Sequence, residues 1–152
     1  MLFNNNKCTK IIDTGEPLVI NMEQVSFCNQ NFRRALWTGK YLQTTLMTIS
    51  VGEDVGLEIH SDTDQYIMVA DGFASVYIGD NKENLNYRKG VQEGYGIFIP
   101  AGYYHNIINT GNKDLKLISV YAPPHHPQGT VHATKEIAQK EEGYWVIFLA
   151  MK

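Results

Sequence analysis

The sequence predicts an all-β barrel or sandwich that ends in a short helix, and three observations carry this expectation. Turn-forming residues punctuate the chain at Gly39, Gly52, Asp71-Gly72, Gly79-Asp80-Asn81, Gly90, Gly94, Pro100-Ala101-Gly102 and Gly111-Asn112, as in folds built of many short strands. The runs between them are rich in Thr, Ile, Val and Tyr, which suit a pleated, half-buried surface. With 152 residues, 43% hydrophobic and 19% charged, the chain has the makeup of one globular domain over residues 1–152.

Strands are expected at residues 41–51, 65–70, 73–78, 96–99, 106–108 and 115–122. In the first run Met47, Ile49 and Val51 alternate with Thr48 and Ser50, so Met47 points inward and the Thr/Ser face is wet. Asp71-Gly72 between two strand-like runs reads as a tight hairpin. The barrel core then covers about residues 36–122, and residues 123–152 form a loop, a helix and an apolar tail. Pro123, Pro124 and Pro127 make the segment APPHHPQGTVH a stiff loop rather than a strand. Residues 134–142 read as a helix capped by Thr134 and ended by Gly143, with so little apolar face that it should lie loosely on the surface. Residues 144–151 are apolar at consecutive positions and are expected to bury against the barrel or a second subunit.

Composition narrows the function. Thirteen basic and sixteen acidic side chains give a net charge of -3, which leaves no basic footprint for nucleic acid. No signal peptide and no apolar run long enough for a membrane span is visible, so a cytoplasmic protein is expected. Cys8 and Cys28, without a CxxC motif, read as free thiols. No serine has a GxSxG elbow, and no GxxxxGK[ST] loop is present.

The chemistry concentrates in residues 52–109. Glu58 and His60 stand two apart on an extended segment, so both project from one face while Leu57 and Ile59 project from the other. After a polar bend, Gln65 lies on the returning strand, within reach of His60. Gly94, Pro100, Gly102, His105 and Asn109 then frame a turn and a strand that aims the His105 imidazole inward. Taken singly, an inward histidine is a core residue and Glu58 a solvated carboxylate; taken together, they are potential metal ligands.

These two stretches resemble the paired motifs of the cupin family, small double-stranded β-helix (jelly-roll) barrels that commonly hold one metal. The second motif matches at every defining position. In the first, Gly52 and Gly72 keep the spacing, His60 stands as the second histidine, Glu58 replaces the first histidine, and Gln65 replaces the glutamate seven positions before Gly72. The resemblance implies Glu58, His60, Gln65 and His105 as ligands, with Asp64 as an alternative to Gln65. Two imidazoles, an amide and a carboxylate suit one divalent Zn, Fe, Mn or Ni rather than Cu(I). Asp54, Asp62 and Asp64 otherwise read as solvated loop charges.

The tail segment with His125, His126 and His132 is similar to that of small cupins of the mannose-6-phosphate isomerase-like group. There it could act as a lid that offers a general base, His125, or a phosphate contact; surface imidazoles are the bland alternative. Met47, Tyr103, Tyr121 and His132 are expected to line the substrate pocket, while Tyr66, Tyr104 and Trp37 suit either pocket or core. The implied function is metal-dependent chemistry on a small polar metabolite, foremost isomerisation of a sugar or sugar phosphate. The alternatives are an iron-dependent dioxygenase and a non-catalytic binder of a small ligand. A homodimer is expected, because open sheet edges and the apolar tail need covering.

Overall fold

The computed structural model describes residues 8–150, with side chains in the last helix described as far as Glu142. Two antiparallel sheets face each other. The larger has the order β6-β3-β8-β2-β1-β9, and the smaller β5-β4-β7. Their strands are β1 (Arg33–Thr38), β2 (Gln43–Ile49), β3 (Asp64–Asp71), β4 (Phe73–Gly79), β5 (Tyr87–Gln92), β6 (Gly96–Ile99), β7 (Tyr104–Asn109), β8 (Leu115–Ala122) and β9 (Val131–His132). Helices α1 (Met22–Cys28) and α2 (Lys135–Ala150) flank them. The jelly-roll fold is the one expected.

Strand register grades the interior from greasy to polar. Along β2 and β8, Ile49 pairs with Leu115, Met47 with Leu117, Thr45 with Ser119 and Gln43 with Tyr121. β3 continues these rows, with Val69 beside Leu117, Ile67 beside Ser119 and Gln65 beside Tyr121. Because successive side chains alternate faces, one end of the interior is filled by Ile49, Val69, Leu115 and Leu117, all fully or almost fully buried. The other end collects hydroxyls, amides and a phenol. The inner face thus contains both a stabilising core and a polar chamber, and the residues that the register brings into each row decide which end is which.

Several expectations are corrected. Asp71-Gly72 is no hairpin: β3 pairs with β6 and β8, whereas β4 pairs with β5 and β7. The chain turns a corner from one sheet to the other there. A register shift between Val69 and Asp71 and a positive φ of 99° at Gly72 allow the bend. A Cβ at Gly72 would stand 3.3 Å from Asp114 O, so the close approach also favours glycine. The barrel begins at Arg33 rather than near residue 36, and the histidine-bearing tail does contribute a strand, β9, paired with β1.

The outer face of β2 is not wet. Leu36, Leu46 and Ile118 form a second core beneath Met22 and Val25 of α1, a helix that sequence reading missed because seven residues are too few to show helical periodicity. Its signal was the cap: Asn21 Oδ1 accepts from Gln24 N at 2.9 Å. Cys8 and Cys28 are not free thiols but a disulfide, with Cα atoms 5.7 Å apart. Local motif spacing could not reveal it, since the N-terminal segment is laid beside the end of α1 by tertiary folding.

The C-terminal helix is longer and better anchored than expected. It continues through Gly143, while Thr134 caps it as predicted, its Oγ1 accepting from Ile137 N at 3.3 Å. Ala138 belongs to the main core. Lys135 pairs with Asp54, which is therefore no free loop charge and also receives Asn106 Nδ2 at 2.8 Å. The helix docks through one small residue and polar ties, so its low apolar content was misleading. Where the apolar side chains of residues 144–151 go falls outside the described residues. No helix among the described residues is long and apolar enough to cross a membrane.

Candidate metal centre

At the polar end, the segment carrying Glu58 and His60 runs beside β7. It is no continuous strand; a single bridge joins Glu58 to His105, with backbone hydrogen bonds of 2.9 Å in both directions. The expected alternation nevertheless holds: Leu57 and Ile59 are exposed, while Glu58 and His60 face inward. Gly102 N donates to His60 O at 2.8 Å, so the Pro-Ala-Gly turn fixes the height of the first motif against the second.

Glu58, His60 and His105 bring one donor atom each to within 4.8 Å of one another. Glu58 Oε2 lies 3.6 Å from both His60 Nε2 and His105 Nε2. None of the three atoms has a hydrogen-bond partner, although all are buried. Unpaired polar atoms in a barrel interior are costly unless something binds them. A common ion with bonds of about 2.0–2.2 Å would hold its donors roughly 3–3.5 Å apart, so the cluster fits a metal.

Each donor is oriented by a neighbour. His105 Nδ1 lies 3.2 Å from Tyr103 O; since a carbonyl only accepts, that contact puts the proton on Nδ1 and leaves the Nε2 lone pair free. Arg33 Nη2 donates to Glu58 Oε1 at 2.7 Å, which turns Oε2 toward the imidazoles. Burial would push the Glu58 carboxyl up, but Arg33, His105 and His60 hold it well below the usual carboxylate range. Burial also works against the Arg33 charge, yet Glu58, Tyr121 and Glu142 raise its pKa further. Arg33 escaped sequence reading; its signal was a basic residue at an inward position of the strand-like FRRALW.

The other expected residues are placed as follows. Gln65 is buried, with Nε2 donating to Ser119 Oγ at 2.7 Å and Oε1 left without a partner. Asp64 is exposed and accepts from Ala101 N at 2.9 Å, so it is turned away from the cluster. Tyr121 is fully buried with its ring 5.5 Å from His60, and burial raises its phenol pKa. Met47 lies in the apolar core, opposite Arg33 in the register. Tyr103 turns its ring to the outside, into a surface groove with Tyr87 and Tyr95, and serves the cluster through its carbonyl instead. Tyr66 packs at a tilt against Phe98, and Trp37 Nε1 donates to Glu16 O, so neither joins the cluster.

The histidine-rich loop lies over the chamber. Gln43, fully buried, clamps it: Nε2 donates to His126 O at 2.8 Å, and Oε1 accepts from His126 N at 2.9 Å. The His125 ring stands 4.1 Å from that of His60, and its other side is open to solvent. Partial burial and the neighbouring His60 lower its pKa to about 4. His126 is buried against Tyr121, His125 and His132, and burial lowers its pKa to about 2.

With this geometry in view, the chain matches the cupin domain family over residues 45–121. The chain is a cupin. It is 49% identical to the uncharacterised protein YrkC of Bacillus subtilis (strain 168) over 84% of this chain and 68% of that one. It is 37% identical to the uncharacterised protein L612 of Acanthamoeba polyphaga mimivirus over 80% of this chain and 74% of that one. Among solved structures, the Bacillus halodurans protein BH2720 matches with a TM-score of 0.84 at 53% identity, covering 86% of this chain and 99% of that chain. The resemblance stated from the motifs therefore holds at the level of family and fold.

Proposed function

We propose that this cupin is a metal-dependent enzyme acting on a small polar metabolite, foremost an isomerase of a sugar or sugar phosphate in the manner of the mannose-6-phosphate isomerase-like group. The observation that carries this reading is the convergence of three buried donor atoms without partners, Glu58 Oε2, His60 Nε2 and His105 Nε2, beneath a half-open imidazole. Glu58, His60 and His105 would hold one divalent Zn, Fe, Mn or Ni, with Gln65 contributing through Oε1. When bound, such a metal polarises a carbonyl or hydroxyl oxygen. Arg33 keeps Glu58 aimed, and Tyr103 O keeps His105 in the ligating tautomer. His125 stands over His60 where it can take a proton from the carbon beside a carbonyl and return it to the neighbouring carbon. Such a transfer needs no outside reagent. The loop from Pro123 to Pro127 and helix α2 limit water above the chamber.

Two imidazoles and one carboxylate are also the ligand set of non-haem iron oxygenases, which keeps an iron-dependent dioxygenase as the second reading. Elemental analysis of protein purified without added metal, with Glu58→Ala and His105→Ala alongside, tests the shared claim. Stoichiometric metal in wild type, lost in both variants, is expected; a wild type without metal affinity sinks it. A metabolite screen with oxygen-uptake and anaerobic arms then divides the readings. Turnover without oxygen marks the isomerase, oxygen consumption the dioxygenase, and saturable binding without product the non-catalytic binder. A cytoplasmic homodimer belongs to the same proposal. Light scattering tests the dimer, and the in-cell thiol state of Cys8 and Cys28 tests the compartment, since disulfides persist mainly in oxidising surroundings.

A further inference from the structure

Arg33 and His132 sit opposite each other in the β1–β9 register. Both are sealed, their side chains 1% and 3% exposed. Both are nevertheless partnered from outside. Glu142 Oε1 lies 2.8 Å from Arg33 Nη1, and Glu141 Oε2 lies 2.7 Å from His132 Nε2, while those two side chains are 44% and 55% exposed. Two adjacent residues of α2 thus reach from the rim into the chamber and place one carboxylate on each buried basic group. Arg33 Nε and His132 Nδ1 still have no hydrogen-bond partner. The Arg33 Nε–H is thus a spare donor, and an oxyanion that displaced the two glutamates would also be offered Arg33 Nη1 and His132 Nε2.

We propose that Arg33 and His132 form an oxyanion subsite beside the metal centre, occupied in this state by Glu142 and Glu141, and that the substrate carries a carboxylate or phosphate group that displaces them. The inference rests on the reading of the chamber as a metal-dependent substrate site. Charge supports it. Arg33 and Glu58 cancel, so a divalent metal stands uncompensated once Glu142 withdraws, and an anionic substrate restores the balance. Geometry supports it as well: Glu58 holds Nη2, Glu142 uses only Nη1, and Nε is left unpartnered, so the guanidinium can anchor Glu58 and still offer charge-assisted N–H bonds to an oxyanion. Arg33 serves at once as the positioning residue for Glu58 and as the anion receptor, which would fix the distance between the anionic group and the reacting carbonyl.

Calorimetric titration of the metal-free, full-length protein tests this, with inorganic phosphate in one arm and acetate in the other. The E141Q/E142Q variant removes both internal carboxylate charges and keeps the side-chain shape. It is expected to bind one of the two oxyanions on the order of ten-fold more tightly than wild type, and the arm that tightens names the group. Adding H132Q or R33K to that variant should cancel the gain. H132Q leaves the Arg33–Glu58 pair intact, so it decides the matter should R33K fail to fold. Equal affinities in wild type and E141Q/E142Q, or a gain that survives both H132Q and R33K, overturn the proposal. A Zn²⁺ titration of the same preparations separates the two readings. Wild type that takes up no metal refutes the metal centre, whereas metal uptake with unchanged anion affinities refutes the subsite alone.

Discussion

Two buried polar clusters lie on opposite faces of the six-stranded sheet, and they differ in how completely they are bonded. Outside, beneath the end of α1, Lys116 Nζ donates to Asn29 O and Thr48 Oγ1. Asn29 Nδ2 donates to Asn31 O at 2.8 Å and to Thr48 Oγ1 at 3.0 Å. Thr48 Oγ1 in turn donates to Asn29 O at 2.8 Å. Inside, Arg33 Nε, Thr45 Oγ1, Glu58 Oε2, both His60 nitrogens, Gln65 Oε1, His105 Nε2 and His132 Nδ1 lack partners. On the outer side Ser26 Oγ alone lacks a partner among the described residues; a nearly closed network is the signature of structure, since almost every desolvated group has been repaid. An open one of equal burial is the signature of a site that a ligand completes. The sheet separates a polar cluster that holds the fold from one that the fold holds in readiness.

The largest effect expected from breaking this contrast is in the closed cluster. Asn29→Ala strips partners from Asn31 and Thr48, and orphaned buried groups cost about 1–3 kcal/mol each, so a loss of about 2–4 kcal/mol is expected in equilibrium denaturant unfolding. His60→Leu is the mirror experiment. It replaces an imidazole whose nitrogens bond nothing with an apolar side chain of similar size. The metal-free protein should therefore unfold within about 1 kcal/mol of wild type. Metal should stabilise wild type by about 2.7 kcal/mol at a concentration one hundred times its dissociation constant, and His60→Leu should lose that gain. A metal-free His60→Leu protein as damaged as Asn29→Ala would erase the distinction between the clusters.

The next effect comes from pH. His126 is held neutral by burial, with a pKa lowered to about 2 from 6.5, against Tyr121, His125, His132 and, more distantly, Arg33 and Glu58. The unfolded chain takes up a proton near 6.5 and the folded chain does not, so the unfolded state binds more protons and stability falls as pH drops below 6.5. This stabilising contribution is fully present above 6.5. Its loss should reach about 2 kcal/mol between pH 7 and 5, measured by unfolding at each pH. His126→Gln should reduce that slope, leaving the contribution of the more exposed His125, whose pKa is lowered to about 4, and an unchanged slope would mean that the His126 imidazole is not kept neutral by the fold.

How much of this was legible in the sequence follows from the range of each interaction. Glu58, His60 and His105 were readable because alternation along an extended chain and a proline-glycine turn are local properties, and they fix which way a side chain faces. Local composition and alternation likewise placed strands at residues 41–51 and 115–122, where the structure forms Gln43–Ile49 and Leu115–Ala122. Arg33 was not readable as the partner of Glu58 and Glu142, because those carboxylates lie 25 and 109 positions away and nothing local announces them. The Asp71-Gly72 corner failed for a related reason. A positive φ at glycine serves a hairpin and a sheet-to-sheet bend equally well, and only the pairing of the flanking strands decides. Tyr103 shows the limit from the other side: its position beside His105 was informative, but its carbonyl rather than its ring does the work.

The smallest effect concerns the helix that supplies Glu141 and Glu142. Lys135 at its start pairs with Asp54, whose carboxyl is held below its usual value; burial pushes it up, but the bonds from Lys135 and Asn106 outweigh that. The pair is partly exposed, so Lys135→Ala should cost only about 0.5–1 kcal/mol of global stability. Its local effect should be larger, because Ala138 and the Lys135 tie are what lay this helix against the barrel. Amide exchange in the first turns of α2 should speed up on substitution. Protection factors there, which remove the intrinsic pH dependence of exchange, should also fall in wild type as pH drops through the depressed Asp54 pKa, since the paired carboxylate stabilises the fold only while ionised. If exchange there is unchanged, the helix is anchored elsewhere, and the two glutamates owe their place over Arg33 and His132 to those contacts alone.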